Sequence, residues 1–192
     1  MKERIAELFE EARGTQKAFV ESAATVEALA KAARAIVECL EAGNKVLLCG
    51  NGGSAADCQH IAGEIVGRFR RERAGWGAVA LTTDTSVLTA IGNDYSYDDI
   101  FKRQIEGLGA KGDVLVAYST SGNSKNVLAA IDEAKRRGMT AIAFTGAGGG
   151  AMKGVVDVWI EGPSAETARA QECHMLAGHV ICELVEAAMT EK

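Results

Sequence analysis

The sequence predicts an α/β protein: a three-layer α/β/α sandwich around a five-stranded parallel sheet, preceded by two further helices. Short apolar runs alternate along the chain with longer segments of helical periodicity. The runs are continuously apolar rather than alternating, as strands covered on both faces are. Strands separated by helices imply right-handed crossovers and therefore a parallel sheet.

Residues 2–20 and 24–42 carry Ala, Leu, Ile and Val at helical spacing, and Gly43-Asn44 is a stop signal. KVLLCG (45–50) is the first strand, and a helix follows over residues 54–67. GAVALT (77–82), DVLVAYS (113–119), TAIAFTG (140–146) and VVDVWI (155–160) supply the other strands. Helices fit at residues 85–92, 97–108 and 124–137, and a last one over 166–189. The single proline, Pro163, lies in the loop before that last helix. No repeat, low-complexity stretch or linker interrupts the chain, so one domain over 1–192 is expected. The first two helices (1–42) have no obvious place in a minimal sandwich and are expected to serve contacts between subunits.

With 47% apolar and 24% charged residues, the chain can bury a full core without disulfide or metal staples. A net charge of −5 argues against general binding to nucleic acid or an anionic membrane. The longest apolar runs, such as VLVA, fall far short of a membrane span. The opening MKERIAELFEEARG is charged and lacks the apolar core of a signal peptide. Cys39, Cys49, Cys58, Cys173 and Cys182 form an odd, scattered set without a C-x-x-C pair, which suits buried thiols in a reducing compartment. The expected location is the cytoplasm.

Ligands of open α/β sheets sit beyond the carboxyl ends of the strands, near a topological switch point. Two strand-to-helix turns have suitable chemistry. In Cys49-Gly50-Asn51-Gly52-Gly53-Ser54-Ala55, glycines permit close backbone approach and the helix-start amides favour an anion. The turn also fits a permissive dinucleotide fingerprint, G-x-G-x-x-A. Asp84, the nearest acidic residue at a strand end, lies too far along for the ribose contact. Alone, this loop reads as a tight turn, with ligand binding as the alternative. Ser119-Thr120-Ser121-Gly122-Asn123-Ser124 is different: it gathers four hydroxyls and an amide where a single cap would suffice. Hydroxyls, backbone amides and the helix dipole together suit a phosphate without Lys or Arg.

Three histidines are available for proton chemistry. His60 and Glu64 share one helix face, either as an exposed pair or as part of a divalent metal site. Gln171 and His179 are about 12 Å and about 80° apart on a helix, so one metal is only just reachable from both. His174 lies about 140° round from His179 and is a poor partner for it. His179, in HVICELV, reads as a core histidine from its neighbours. Arg68, Arg70, Arg71 and Arg73 form a basic cluster that reads as a solvated helix end, with a phosphate or partner contact as the alternative. Asn93-Asp94 reads as an Asx turn or as a ligand contact.

CGNGGSAADCQH, AIGNDYSYDDIF, YSTSGNS and RAQECHMLAGH together resemble the bacterial phosphoheptose isomerases, which are sugar-isomerase (SIS) domain proteins. The resemblance runs along essentially the whole chain. It implies a flavodoxin-like SIS fold and an aldose–ketose isomerase. The implied reaction converts sedoheptulose 7-phosphate to D-glycero-D-manno-heptose 7-phosphate through an enediol, towards nucleotide-activated heptose for lipopolysaccharide or other surface glycans. A homotetramer with active sites at subunit contacts and one zinc ion (Zn2+) per subunit are implied as well. His60, Glu64, Gln171 and His179 fall on the family's metal ligands, and Glu64 and His179 on its acid/base pair. Asn51, Gly52, Gly53, Ser54, Glu64, Asn93, Asp94, Ser119, Thr120, Ser121, Ser124 and Gln171 fall on its substrate contacts, the hydroxyl loop being the phosphate end. The chain departs from some members, which carry D-R-I-Q, by reading Ala168-Arg169-Ala170-Gln171, with Glu166 the carboxylate nearby.

Relatives of the same fold act as non-enzymatic regulators that bind the replication initiator protein, and MKERIAELF and SVLTAI look somewhat like them. That type lacks equivalents of Glu64 and His179, and this chain has both. An isomerase of another sugar phosphate is the second alternative.

Overall fold

The computed structural model describes residues 1–191. It opens with α1 (Lys2–Glu21) and α2 (Ala23–Glu41), and the Ser22 hydroxyl between them caps α2 by accepting the Thr25 N–H. There follow β1 (Val46–Gly50), α3 (Gly53–Val66), β2 (Ala78–Ala80), α4 (Thr85–Asp94), a 3-10 turn (Tyr97–Asp99) and α5 (Lys102–Leu108). The chain continues through β3 (Val114–Ser119), α6 (Lys125–Arg136), β4 (Thr140–Thr145), a second 3-10 turn (Gly150–Gly154), β5 (Val158–Glu161) and α7 (Thr167–Thr190). The five strands form one parallel sheet in the order β2-β1-β3-β4-β5. The winding reverses between β1 and β3, which pair with Gly50 opposite Tyr118, so the loops leaving these two strands stand side by side.

Pleating sorts the strand residues into two cores. Val46, Leu48, Val116, Tyr118, Ile142 and Phe144 pack beneath α2, α3 and α7, against Ile36, Ile61 and Ile181. Leu47, Cys49, Leu115 and Ala117 face the other way, onto Ile105, Val127 and Ile131 of α5 and α6. Burial on both faces is the reason the runs read as continuously apolar. Each large aliphatic side chain so buried contributes about 1.5–3 kcal/mol. The five cysteines are buried and unpaired, and among the described residues no helix is long and apolar enough to cross a membrane.

The structure differs from the sequence reading in three places. The α2 helix is not surplus: it buries Ala32, Ala33, Ile36, Cys39 and Leu40 as part of the sandwich. Only α1 stands largely outside, burying Phe19 while Ile5, Leu8 and Phe9 are exposed. The expected helix over 97–108 is broken, because the Ser96 hydroxyl accepts the Asp98 N–H and donates to Asp99 Oδ2, closing a 3-10 turn first. The α4 helix runs on to Asp94, so Asn93-Asp94 forms a helix end rather than an Asx turn, and Asp84 caps α4 through the Val87 N–H.

The core histidine is His174, fully buried, with Nε2 at 2.9 Å from the Thr145 carbonyl and so carrying the proton it donates there. Burial pulls its pKa down to about 4, against a smaller upward pull from that hydrogen bond. Between pH 6.5 and about 4 the unfolded chain binds a proton here that the folded chain refuses. Stability present above that window is therefore lost as pH falls through it, by roughly 3 kcal/mol in all. Urea unfolding at pH 7 and pH 4.5 is expected to show a smaller acid loss for His174→Gln than for the wild type. Equal losses in the two proteins would remove His174 as the cause.

Candidate active site

Both helices that start at the switch point lack a side-chain cap. The α3 helix begins after Gly52, whose φ of +56° suits glycine. The α6 helix begins after Ser124, and the hydroxyl of that residue lies 2.8 Å from Ser119 Oγ instead of capping the helix. Ser121 Oγ is 3.3 Å from the same Ser119 oxygen, so three hydroxyls converge in front of α6. Thr120 Oγ1 is 3.5 Å from Thr167 Oγ1, which joins the loop to the start of α7. In the glycine loop, Gly52 and Gly53 are exposed, and the Gln171 carboxamide lies so close over Gly53 that a Cβ there would meet Nε2 at 2.6 Å. Ser54, in contrast, is buried beneath the loop with its N–H bonded to the Asn51 carbonyl. Asn51 is bound on two sides. It exchanges hydrogen bonds of 2.9 and 2.8 Å with Asn126 of α6, and its Oδ1 accepts the Tyr97 hydroxyl at 3.0 Å.

Behind these loops α3 and α7 pack so closely at Gly178 that a Cβ there would lie 2.6 Å from Ile61 Cδ1. That approach brings His179 to the His60–Glu64 pair. His60 Nε2 is 3.1 Å from Glu64 Oε1 and 3.2 Å from His179 Nε2, with the two rings edge to face. Phe69 stacks on the His179 ring, 5.7 Å between centroids. The His60–Glu64 spacing is thus one part of a three-residue cluster whose ligand atoms all lie within 4.8 Å of one another. His179 is half-buried and faces this cluster, so reading it as a core histidine was an error of neighbourhood: the core position belongs to His174, five residues earlier. Two imidazoles and a carboxylate this close suit a divalent cation, and equally proton transfer at a bound substrate.

A profile of the SIS domain family matches residues 7–146. The chain is 50% identical over 192 residues to the phosphoheptose isomerase of Aquifex aeolicus, covering 100% of both. It is 59% identical over 156 residues to that of Burkholderia pseudomallei, covering 81% of this chain and 79% of the relative. The fold matches the structure of phosphoheptose isomerase from Neisseria gonorrhoeae at a TM-score of 0.91 and 44% identity, covering 97% of this chain and 98% of that one. The chain belongs to the SIS-domain phosphoheptose isomerase family.

Within this SIS domain, Asn93 and Asp94 are exposed on the last turn of α4 and bonded to each other at 2.8 Å. Tyr97, just beyond them, links that helix end to the glycine loop. Three residues escape a reading by motif. Asn126 looks like an ordinary helix residue in the sequence, yet it is 2% exposed and ties the two loops together. Tyr97 is anonymous in a polar stretch. Asp57 sits one turn before His60, with Oδ2 buried and unpartnered, and burial raises its carboxyl above the usual range while His60 pulls it back. Its signal was the i,i+3 spacing to His60. At the departure from D-R-I-Q, Ala168 is exposed, and Glu166 is exposed outside the first turn of α7. The basic cluster is ion-paired: Arg68 with Glu72, Arg70 with Glu183, Arg71 with Glu191 and Arg73 with Glu186.

Proposed function

We propose that the chain is an aldose–ketose isomerase that converts sedoheptulose 7-phosphate to D-glycero-D-manno-heptose 7-phosphate through an enediol. The observation that carries this reading is the meeting of His60, Glu64 and His179, whose ligand atoms lie within 4.8 Å of one another. The phosphate docks on the Ser119, Thr120, Ser121 and Ser124 hydroxyls at the α6 start, where amide dipoles favour an anion. The sugar runs from there past Gly52, Gly53 and Gln171 towards the cluster, with Asn51, Asn93 and Asp94 on its hydroxyls. Asn51 presents its second amide hydrogen in a direction set by Asn126 and Tyr97. Glu64 takes the proton from one carbon and returns it to the next, while His179 moves the proton between the two oxygens.

His60, Glu64 and His179, with Gln171 as a fourth ligand, would hold zinc. Their separations of 3.1 and 3.2 Å are close to the tetrahedral edge of about 3.3 Å that zinc–ligand bonds of about 2.0–2.1 Å imply. A bound zinc would polarise the carbonyl oxygen and stabilise negative charge on it. Exposed Ile5, Leu8 and Phe9 on α1 and Val180 and Leu184 on α7 support assembly of this single-domain chain into a homotetramer. The reading places the protein in the cytoplasm. The presence of both Glu64 and His179 in one cluster favours catalysis over a regulatory role on the replication initiator protein.

The test is proton NMR of the assembled, metal-replete protein with sedoheptulose 7-phosphate in deuterium oxide. Aldoheptose phosphate carrying deuterium at C2 is the expected product. No turnover would overturn the assignment and direct attention to other sugar phosphates or to the regulatory role.

A further inference from the structure

The loop between α3 and β2 is held by a buried ion pair that the proposed chemistry does not use. Glu186 of α7 is 1% exposed and lies two turns beyond His179, on nearly the same face. Its Oε1 accepts the Phe69 N–H at 2.9 Å and Arg73 Nε at 3.0 Å, and its Oε2 accepts the N–H groups of Arg70 and Arg71 at 2.7 and 2.9 Å. Arg73 has only 5% of its side chain exposed and turns its remaining donors on backbone carbonyls. Nη2 donates to the carbonyl of Glu64 itself at 2.9 Å, and Nη1 to those of Ile65 and Ala74 at 3.0 and 3.1 Å. The guanidinium lies 3.6 Å over the Trp76 ring. Desolvation alone would raise the Glu186 carboxyl, but the three amides and Arg73 hold it down to about 2.

Burying two charges costs several kcal/mol per ion, and apolar replacements of such pairs are often neutral or stabilising. Stability is therefore a weak reason for this pair. Its geometry suggests a stronger one. The guanidinium fork caps the last turn of α3, where Glu64 sits, and anchors it to α7, which carries His179. The same carboxylate fixes the backbone of Phe69, whose ring stacks on His179.

We propose that Arg73 and Glu186 are positioning residues for the isomerisation: the clamp sets Glu64 against His179 and holds Phe69 stacked on the imidazole. This rests on Glu64 and His179 being the reacting pair. The clamp lies away from the phosphate loop, so it acts on kcat rather than on KM.

Two variants test it. Arg73→Lys keeps the charge but cannot hold Glu186 and the α3 carbonyls at once. Phe69→Leu leaves every donor to Glu186 in place and removes the ring that stacks on His179, together with its contact to the Arg70 guanidinium. Each is compared with the wild type for assembly, kcat, KM and the long-range proton–nitrogen spectrum of its imidazoles. Both are expected to fold and assemble. Turnover falls on the order of 10–100-fold in Arg73→Lys and about 3–10-fold in Phe69→Leu, with KM within about twofold. The His179 resonances move in both, without substrate, while those of His174 stay put. Wild-type kcat with unmoved His179 signals overturns the proposal, and so does a rise in KM that matches the fall in kcat. Should Arg73→Lys fail to fold, Phe69→Leu decides by the same two criteria. Because the imidazole spectrum needs no turnover, a wrong substrate and a wrong clamp give different results.

Discussion

A Glu64→Gln protein is expected to fold and assemble as the wild type does, and to exchange deuterium into the sugar C2 position about 10²–10⁴-fold more slowly. The carboxamide has the same shape as the carboxylate and can still meet His60 Nε2, now 3.1 Å from Glu64 Oε1. The side chain is 25% exposed, so no buried partner is stranded by loss of the charge. What disappears is the basic oxygen. Glu64 is also in the proposed ligand set, and a group bound to a cation is not free to carry a proton at the same moment. Metal content measured on the same sample separates the two roles. Lost exchange with metal retained supports the base. Lost exchange that added zinc restores would make Glu64 a ligand and not the base. Exchange at the wild-type rate would sink both roles and turn attention to Asp57, two turns earlier on the same face of α3.

The fold was legible because its signals are local. Runs such as VLLCG and VLVAYS are buried at every position and almost wholly apolar since both faces are covered, and the glycine and hydroxyl turns announce themselves by composition. The hydroxyl turn stood out for the same reason: four hydroxyls exceed what capping requires, and Ser124 does not in fact cap. The cluster is another matter. Spacing relates His60 to Glu64 but says nothing of His179, which arrives from a helix more than a hundred residues later. That meeting depends on Gly178 letting α7 close on Ile61, a contact no local pattern records. Family resemblance supplied the partner that periodicity could not. Neither route reached Asn126 or Glu186, and Arg73, expected on a solvated helix end, is buried, because each acts through bonds to the backbone or to a distant side chain. The helix break at Ser96 went unread because a side-chain bond to Asp99 outweighs propensity there.

Gly122→Ala is expected to disable the proposed phosphate site almost completely. Gly122 sits at φ +65°, where an L side chain costs about 1–2 kcal/mol. Sterics matter more. A Cβ at that position would lie 2.0 Å from the Gly149 carbonyl oxygen and 3.0 Å from the Gly150 nitrogen, both backbone atoms that no rotamer change can move. The opposing loop is locked in place, since Met152 N–H donates to the Gly122 carbonyl and Ala151 N–H to Asn123 Oδ1. Relief requires the Ser119–Ser124 turn to shift by about 1 Å, which separates the hydroxyls that now converge on Ser119. A fall in kcat/KM of at least about 10²-fold is expected, with a matching loss of competitive inhibition by inorganic phosphate, and about 2–4 kcal/mol less stability. Gly148→Ala is the control, because Gly148 also has positive φ, +87°, yet a Cβ there would meet nothing within 4 Å. It shares the backbone strain without the collision, so it should lose about 1–2 kcal/mol of stability and keep its inhibition by phosphate. If both variants lose phosphate inhibition alike, strain in the glycine backbone is responsible, and the converging hydroxyls are not the anion site.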